Sequence, residues 1–297
     1  PVVICPGFCN DSHDYETDYH QPSLDGNNDH SSLKSVLAKR GFTKSQIYTI
    51  PVQRHDWIRS IAGGLLFDTR NFQQCTTQPD GVAYGWYIKR LKEMVDVAYN
   101  ESGGQKVLLI GHSAGGWLAR AAMGDGIWSE EFIIRTSDRI RCLATIGSIH
   151  QAPEQDTTTC VTRGALKYTN DHYPGAFLKN DGIGYVSIGG ISTTTATATS
   201  ISSVEESKND NQRVAYTSYK AVSGNEKYTL GDGVVPIEWT QLLGSKQIQL
   251  NNVLHSKHNY RATAVTTSAT QQQQQSWYGS ENVIDQWLSF VLEEANL

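Results

Sequence analysis

The stretch Lys106-Val-Leu-Leu-Ile-Gly-His-Ser-Ala-Gly-Gly-Trp-Leu-Ala-Arg-Ala-Ala-Met123 decides the fold. Val107–Ile110 is a short, wholly apolar run of the kind that forms a buried strand, and Ala114–Met123 is a helix former that stops at Gly124. Between them lies Gly111-His112-Ser113-Ala114-Gly115. A Gly-x-Ser-x-Gly match alone fits many ordinary turns. A strand before it and a helix after it make the strained elbow that holds a serine hydroxyl outward as a nucleophile. Side chains at 111 and 115 would crowd such a serine, and glycine removes them. The Ala114 N–H then stands at a helix start, where unpaired donors and the helix dipole favour a developing oxyanion.

Working outward, short β-branched runs alternate with longer helical patterns. The expected strands are Val2–Cys5, Ile47–Val52, Lys106–Ile110, Ile140–Ile146, Tyr185–Ile188 and Gln247–Leu250. Tyr84, Tyr87, Ile88, Leu91, Met94, Val95 and Ala98 recur at helical period. Ser31 or Ser32 caps a helix that ends at Gly41, and Val283 to Val291 marks a final helix. This alternation predicts the α/β class, with a mostly parallel central sheet flanked by helices. At 297 residues the chain is read as a single domain, 1–297, with cap or lid insertions at about 149–184 and 191–231. The Thr/Ala/Ser-rich run Ser192–Ser203 and the glutamines Gln271–Gln275 read as surface loops.

The composition narrows the function classes. Hydrophobic residues at 38% and charged ones at 19% fit a folded protein, and no apolar run is long enough to cross a bilayer, so membrane contact is expected to be peripheral. The net charge of −5 is interspersed and no Lys/Arg cluster stands out, which argues against a nucleic-acid partner. Cys5, Cys9, Cys75, Cys142 and Cys160 form no CxxC pair; a single bridge, if there is one, is expected between Cys75 and Cys160. Asn10-Asp-Ser12 and Asn100-Glu-Ser102 match the glycosylation pattern, which arises easily by chance. The chain opens directly on the apolar run Pro1–Cys5 with no signal or transit pattern in it, which is equally expected where a leader has been removed. His13, His20 and His30 lie in an Asp/Asn-rich polar stretch without metal-ligand spacing, so they are read as solvated, and neither metal nor organic cofactor is expected.

A serine hydroxyl needs a base, and the base needs an orienting carboxylate. Behind an elbow of this kind the partners follow in the order Ser, acid, His. Asp232, in Gly231-Asp-Gly-Val-Val-Pro236, is the candidate acid, although by itself it reads equally as an Asp-Gly turn. His255 follows the Gln247–Leu250 strand within five residues and is the candidate base. His258 is its rival, and His150 precedes the acid. A second oxyanion donor is expected on Pro6-Gly7-Phe8-Cys9-Asn10, with the Phe8 N–H favoured over the reading of Phe8 as a packing residue.

Several motifs recur in one order along the chain: Val3-Ile-Cys-Pro-Gly-Phe8, Asp56-Trp57 with Gly63-Gly-Leu65, Ile110–Arg120, Gly231–Pro236, Val253-Leu-His-Ser256 and Trp277-Tyr-Gly-Ser280. Together they resemble a lipase-like α/β-hydrolase family of plants and algae. The resemblance implies an α/β-hydrolase fold, a triad of Ser113, Asp232 and His255, and a chloroplast or otherwise soluble location. Its His-Ser pair favours His255 over His258. Pro-Gly-Phe, the elbow and Gly-Asp-Gly-Val-Val-Pro are also similar to features of bacterial lipases, in which the residue in Phe8's place donates to the oxyanion. Gly147-Ser-Ile-His150 departs from the Gly-Thr-Pro-His expected of the family.

The expected chemistry is hydrolysis of a hydrophobic carboxylic ester through an acyl-enzyme, in lipid metabolism. A thioester or a chlorophyll-type phytyl ester is an alternative substrate. Trp57, Trp86, Trp117 and Trp128 are expected to border the site and point to a hydrophobic acyl or isoprenoid substrate, with a core position the equal alternative for Trp86 and Trp128. A catalytically silent protein that binds lipids or small molecules is the alternative of another class.

Overall fold

The computed structural model describes residues 1–20, 29–124, 135–153, 160–192, 210–256 and 276–297. Six strands form the central sheet: β1 (Val2–Cys5), β4 (Ile47–Thr49), β5 (Val107–His112), β6 (Ile140–Ile146), β7 (Gly184–Ile191) and β8 (Lys246–Asn251). Their order is β4-β1-β5-β6-β7-β8, with every neighbouring pair parallel. Two small ladders lie outside the sheet. β2 (Tyr19–His20) pairs antiparallel with β3 (Asp29–His30), and β9 (Val253–Leu254) pairs parallel with β10 (Ser276–Trp277).

The helices are α1 (His13–Glu16), α2 (Leu33–Lys39), α3 (Arg54–Phe67), α4 (Thr69–Gln74), α5 (Gly85–Glu101), α6 (Ala114–Ala122), α7 (Thr136–Arg139), α8 (Ala165–His172), α9 (Asp210–Ser223), α10 (Glu281–Ile284) and α11 (Leu288–Glu294). This is the α/β fold expected from the alternating pattern.

Strand side chains alternate faces. Val3, Leu109 and Leu143 join Tyr87, Leu91 and Trp117 in one core, whereas Ile4, Leu108 and Ala144 join Leu37, Trp287 and Val291 in the other. β5 is buried along its whole length, because helices cover the sheet on both faces. Each of its apolar side chains contributes about 1.5–3 kcal/mol by leaving water.

The expected strands are all present; β1 and β6 have the expected ends and the other four differ. β4 stops at Thr49 because Pro51 supplies no N–H to continue a ladder. β7 runs three residues past Ile188, to Ile191. Ser32 is the α2 cap, its hydroxyl accepting the Ser35 N–H at 3.2 Å. The final helix is divided in two, with Trp287 buried between α10 and α11 and its indole donating to the Tyr278 carbonyl at 3.0 Å.

The stretch around His13 is not simply a solvated loop, since α1 buries Asp14 and Tyr15. His13 itself is exposed, and nothing is described for the side chains of His20 and His30. Of the two expected surface loops, Gln271–Gln275 and all of Ser192–Ser203 except Ser192 lie outside the described residues, as do His258 and Trp128. The five cysteines are free thiols, and Cys75 receives the Cys160 backbone N–H. Among the described residues no helix is long and apolar enough to cross a membrane.

Candidate active site

The chain runs from β1 to β4 on one side and then back to β5 on the other, so the loops after β1 and β5 diverge at a topological switch point. Crevices at the carboxyl ends of such strands are where open α/β sheets bind ligands. Ser113 follows β5 there, with φ 51° and ψ −123°, a conformation that side-chain-bearing residues rarely adopt. Its N–H is anchored to the Ile146 carbonyl at 3.0 Å. The glycines of the elbow make their room for backbone more than for the serine. A Cβ on Gly115 would strike the Cys5 carbonyl oxygen, and one on Gly111 would strike the Cα of Gly116. They let α6 pack directly on β1 and β5.

The loop after β1 closes against the elbow. A Cβ on Gly7 would lie 2.8 Å from the Ser113 Cβ, so only glycine permits this approach. Tyr87 donates its hydroxyl to the Pro6 carbonyl at 2.8 Å and fixes the loop from α5. Phe8 is exposed, and its ring meets Trp57 edge-on at 5.2 Å. Among the described residues neither the Phe8 N–H nor the Ala114 N–H is engaged by an acceptor. Ala114 is the first helical residue, where an N–H has no intrahelical partner.

Asp232 and His255 come together on the far side of β6 and β7. β7 ends at Ile191, and the Ser192 N–H donates to the Gly231 carbonyl at 2.8 Å, bringing the Gly-Asp-Gly turn back to the sheet. Fully buried, Asp232 accepts four hydrogen bonds: Val234 N–H (3.0 Å) and Val235 N–H (2.8 Å) on Oδ1, and His255 Nδ1 (2.7 Å) and the Tyr278 hydroxyl (2.8 Å) on Oδ2. Burial would raise this carboxyl, but the charge of His255 and these donors together hold it below the usual carboxylate range. With Nδ1 donating to the carboxylate, Nε2 of His255 is the free basic position.

Gly147 joins this pair to the elbow. It directly follows Ile146, which holds Ser113, and a Cβ there would come within 2.9 Å of Asp232 Oδ2 and 3.1 Å of His255 Nδ1. Its φ of 57° is a second reason for glycine. Among the described residues no hydrogen bond joins Ser113 Oγ to His255. The serine and the histidine are linked instead through His112, whose ring lies 4.9 Å from that of His255.

His112 is buried and makes the linkage directional. Its Nε2 meets the His255 carbonyl at 2.8 Å, so that nitrogen carries the hydrogen. Nδ1 is therefore an acceptor and receives the Tyr15 hydroxyl at 2.6 Å. The Tyr15 oxygen in turn accepts the Gly7 N–H at 3.1 Å and the Asn10 side chain at 2.6 Å. Burial, together with the nearby His255, pushes the His112 pKa down to about 3, so it works as a neutral bridge. Asn10 is thereby committed to the interior network.

Sequence reasoning missed Tyr15, His112 and Tyr278 as parts of the site. Trp277-Tyr278-Gly279-Ser280 was visible as a motif, but nothing local assigns the Tyr278 hydroxyl to Asp232. His150 is buried away from this role: its Nε2 contacts Thr145 Oγ1 at 2.9 Å, and desolvation holds it neutral. Trp57 and Trp117 are buried in the core, and Trp86 is half-buried against Trp57. Among the described residues no cluster of His, Cys, Asp or Glu is arranged to hold a metal. A cleft of about 630 Å³ lies between α1 and the start of α3, lined by residues including His13, Gln53, Arg59 and Arg90, and none of Ser113, Asp232 and His255 lines it.

No curated protein matches the chain. Among solved structures, the crystal structure of the lin2722 gene product from Listeria innocua matches with 12% identity and a TM-score of 0.38, over 93% of this chain and 97% of that one. That likeness is too slight to bear on function. The alpha/beta hydrolase fold family matches residues 1–182, which include β1, the Gly7–Phe8 loop and the Ser113 elbow. The parallel sheet, the elbow after its central strand and this match together make the chain a member of the alpha/beta hydrolase fold family.

Proposed function

We propose that this protein is a serine hydrolase that cleaves carboxylic esters of hydrophobic substrates, with Ser113, His255 and Asp232 as its triad. The observation that carries the reading is the 2.7 Å contact between His255 Nδ1 and the buried Asp232, next to a serine held at φ 51°. Ser113 Oγ attacks the ester carbonyl as His255 Nε2 takes its proton, and Asp232 stabilises the imidazolium. The carbonyl oxygen becomes an oxyanion held by the N–H groups of Phe8 and Ala114, each contributing on the order of 3 kcal/mol. Collapse of this intermediate expels the alcohol, which leaves with the proton from His255. Water, deprotonated by His255, then releases the acid and restores Ser113.

Hydrophobic substrates are supported by the exposed Phe8 ring on the loop after β1, which is backed by the buried Trp57. The segments at about 149–184 and 191–231 are assigned to the cap in this reading. The ordered motifs from Val3–Phe8 to Trp277–Ser280 support a place among the lipase-like α/β-hydrolases of plants and algae, and through them a chloroplast location.

A fluorophosphonate probe and a panel of short esters, galactolipids and phospholipids test the reading. Expected are a covalent adduct on Ser113 and ester hydrolysis that Ser113→Ala abolishes. Absence of the adduct together with undiminished hydrolysis in Ser113→Ala overturns it.

A further inference from the structure

We propose that the outer face of α3 is a docking surface for an anionic lipid bilayer. A surface helix ordinarily turns its apolar stripe to the core. α3 does the reverse. Ile58, Ile61, Ala62, Leu65 and Leu66 stand at the i, i+3, i+4, i+7, i+8 spacing of such a stripe, and all five are exposed. Exposure reaches 66% at Ile58, 72% at Leu66 and 80% at Phe67, at the end of the helix. The inner face is narrow, with Asp56, Trp57, Ser60 and Gly64 as its buried residues.

The helix is nevertheless firmly held. Gln53 and Asp56 form a capping box, Arg90 pairs with Asp56 at 2.6 Å, and Trp57 packs between Phe8 and Tyr87. Its apolar side chains are thus displayed on a fixed support, in the pattern of helices that lie in a membrane interface.

Charge selects the kind of surface. Arg59 borders the stripe on α3 and Arg70 follows it on α4; both are exposed, and neither forms an ion pair within 4 Å among the described residues. The segment 54–74 is net positive in a chain of net charge −5, and of its two carboxylates Asp56 is buried against Arg90. Apolar side chains bordered by free guanidinium groups complement lipid headgroups that carry negative charge. Trp57, directly inside Ile58, touches the Phe8 loop, so a docked bilayer would lie next to the mouth of the crevice at Ser113. That this delivers a lipid ester to Ser113 rests on the esterase reading; the surface itself does not.

Vesicle flotation with the Ser113→Ala chain, which leaves the lipid intact, tests the proposal. The chain is expected to float with phosphatidylglycerol/phosphatidylcholine vesicles and less with phosphatidylcholine alone. Ile58→Asp with Leu66→Asp should lower the partition coefficient by about tenfold or more. Arg59→Gln with Arg70→Gln should lower it several-fold on the anionic vesicles and remove their advantage. All substituted side chains are exposed, so thermal melting should match the parent. No flotation of the parent, or undiminished flotation of the Asp variant, overturns the proposal. So does a dimer that Ile58→Asp converts to monomer, because a second copy then occupies the face. Hydrolysis of a soluble short-chain ester, measured in the same α3 variants with Ser113 intact, should be unchanged. Hydrolysis without docking overturns the docking alone, and docking without hydrolysis overturns the esterase reading alone.

Discussion

The Tyr15 hydroxyl lies 2.6 Å from Nδ1 of His112, and this contact ties the loop after β1 to the elbow after β5. Because the same hydroxyl accepts from Gly7 and Asn10, removing it takes the partner of the Gly7 N–H and leaves the Asn10 side chain and His112 Nδ1 only their 3.3 Å contact with each other. Tyr15→Phe is expected to cost about 1–3 kcal/mol of stability. It should also lower kcat for a soluble ester more than it changes KM, since the loop proposed to hold the oxyanion loses its tether. Thermal melting and steady-state kinetics check both. An unchanged kcat would leave Tyr15 a purely structural residue.

His112 makes stability depend on pH. In the folded chain it stays neutral down to about pH 3, whereas unfolded it protonates near the ordinary imidazole value of 6.5. Between these values the unfolded state holds the extra proton, so stability falls as pH falls, by about 1.4 kcal/mol per unit. His112→Gln should be less stable at pH 7 yet lose less on acidification. Denaturant titrations from pH 7 to pH 4 read the difference in slope.

Asp232 and Tyr278 separate orientation from tuning. Asp232→Asn disrupts the tautomer that leaves Nε2 of His255 basic and should lower kcat by about four orders of magnitude. Tyr278→Phe removes one of two donors to Oδ2, making the carboxylate a better acceptor of positive charge from His255. The expected loss in kcat is only about tenfold, with the acid limb of the pH–rate profile moved to higher pH. A profile that does not move would refute the tuning role.

Gly147→Ala puts a methyl group where Asp232 Oδ2, Tyr278 and His255 Nδ1 converge, on a backbone of positive φ. Strain of about 1–3 kcal/mol is expected at such a position. Activity should fall by at least a hundredfold, because a shift of about 1 Å in the acid–base pair is enough for that. Probe labelling of Ser113 together with a melting curve distinguishes this displacement from unfolding.

Local sequence determined the strands and the elbow, and it supplied Ser113, Asp232 and His255 as candidates in that order, because each is written in short-range signals. Apolar runs make buried strands, a glycine-flanked serine needs a sharp turn, and a base follows its strand closely. The end of β4 was misread, since the expected strand ran through Pro51 to Val52 and the observed one stops at Thr49. Tyr15, His112 and Tyr278 were not legible, since their roles depend on contacts with residues as many as 143 positions away. Helix α3 was not among the expected elements, and nothing local told that its apolar stripe faces water. Only the tertiary structure decided these points: a hydrogen bond between distant segments, or the side of a helix left uncovered, is set by how the sheet brings its loops together, and no local pattern encodes it.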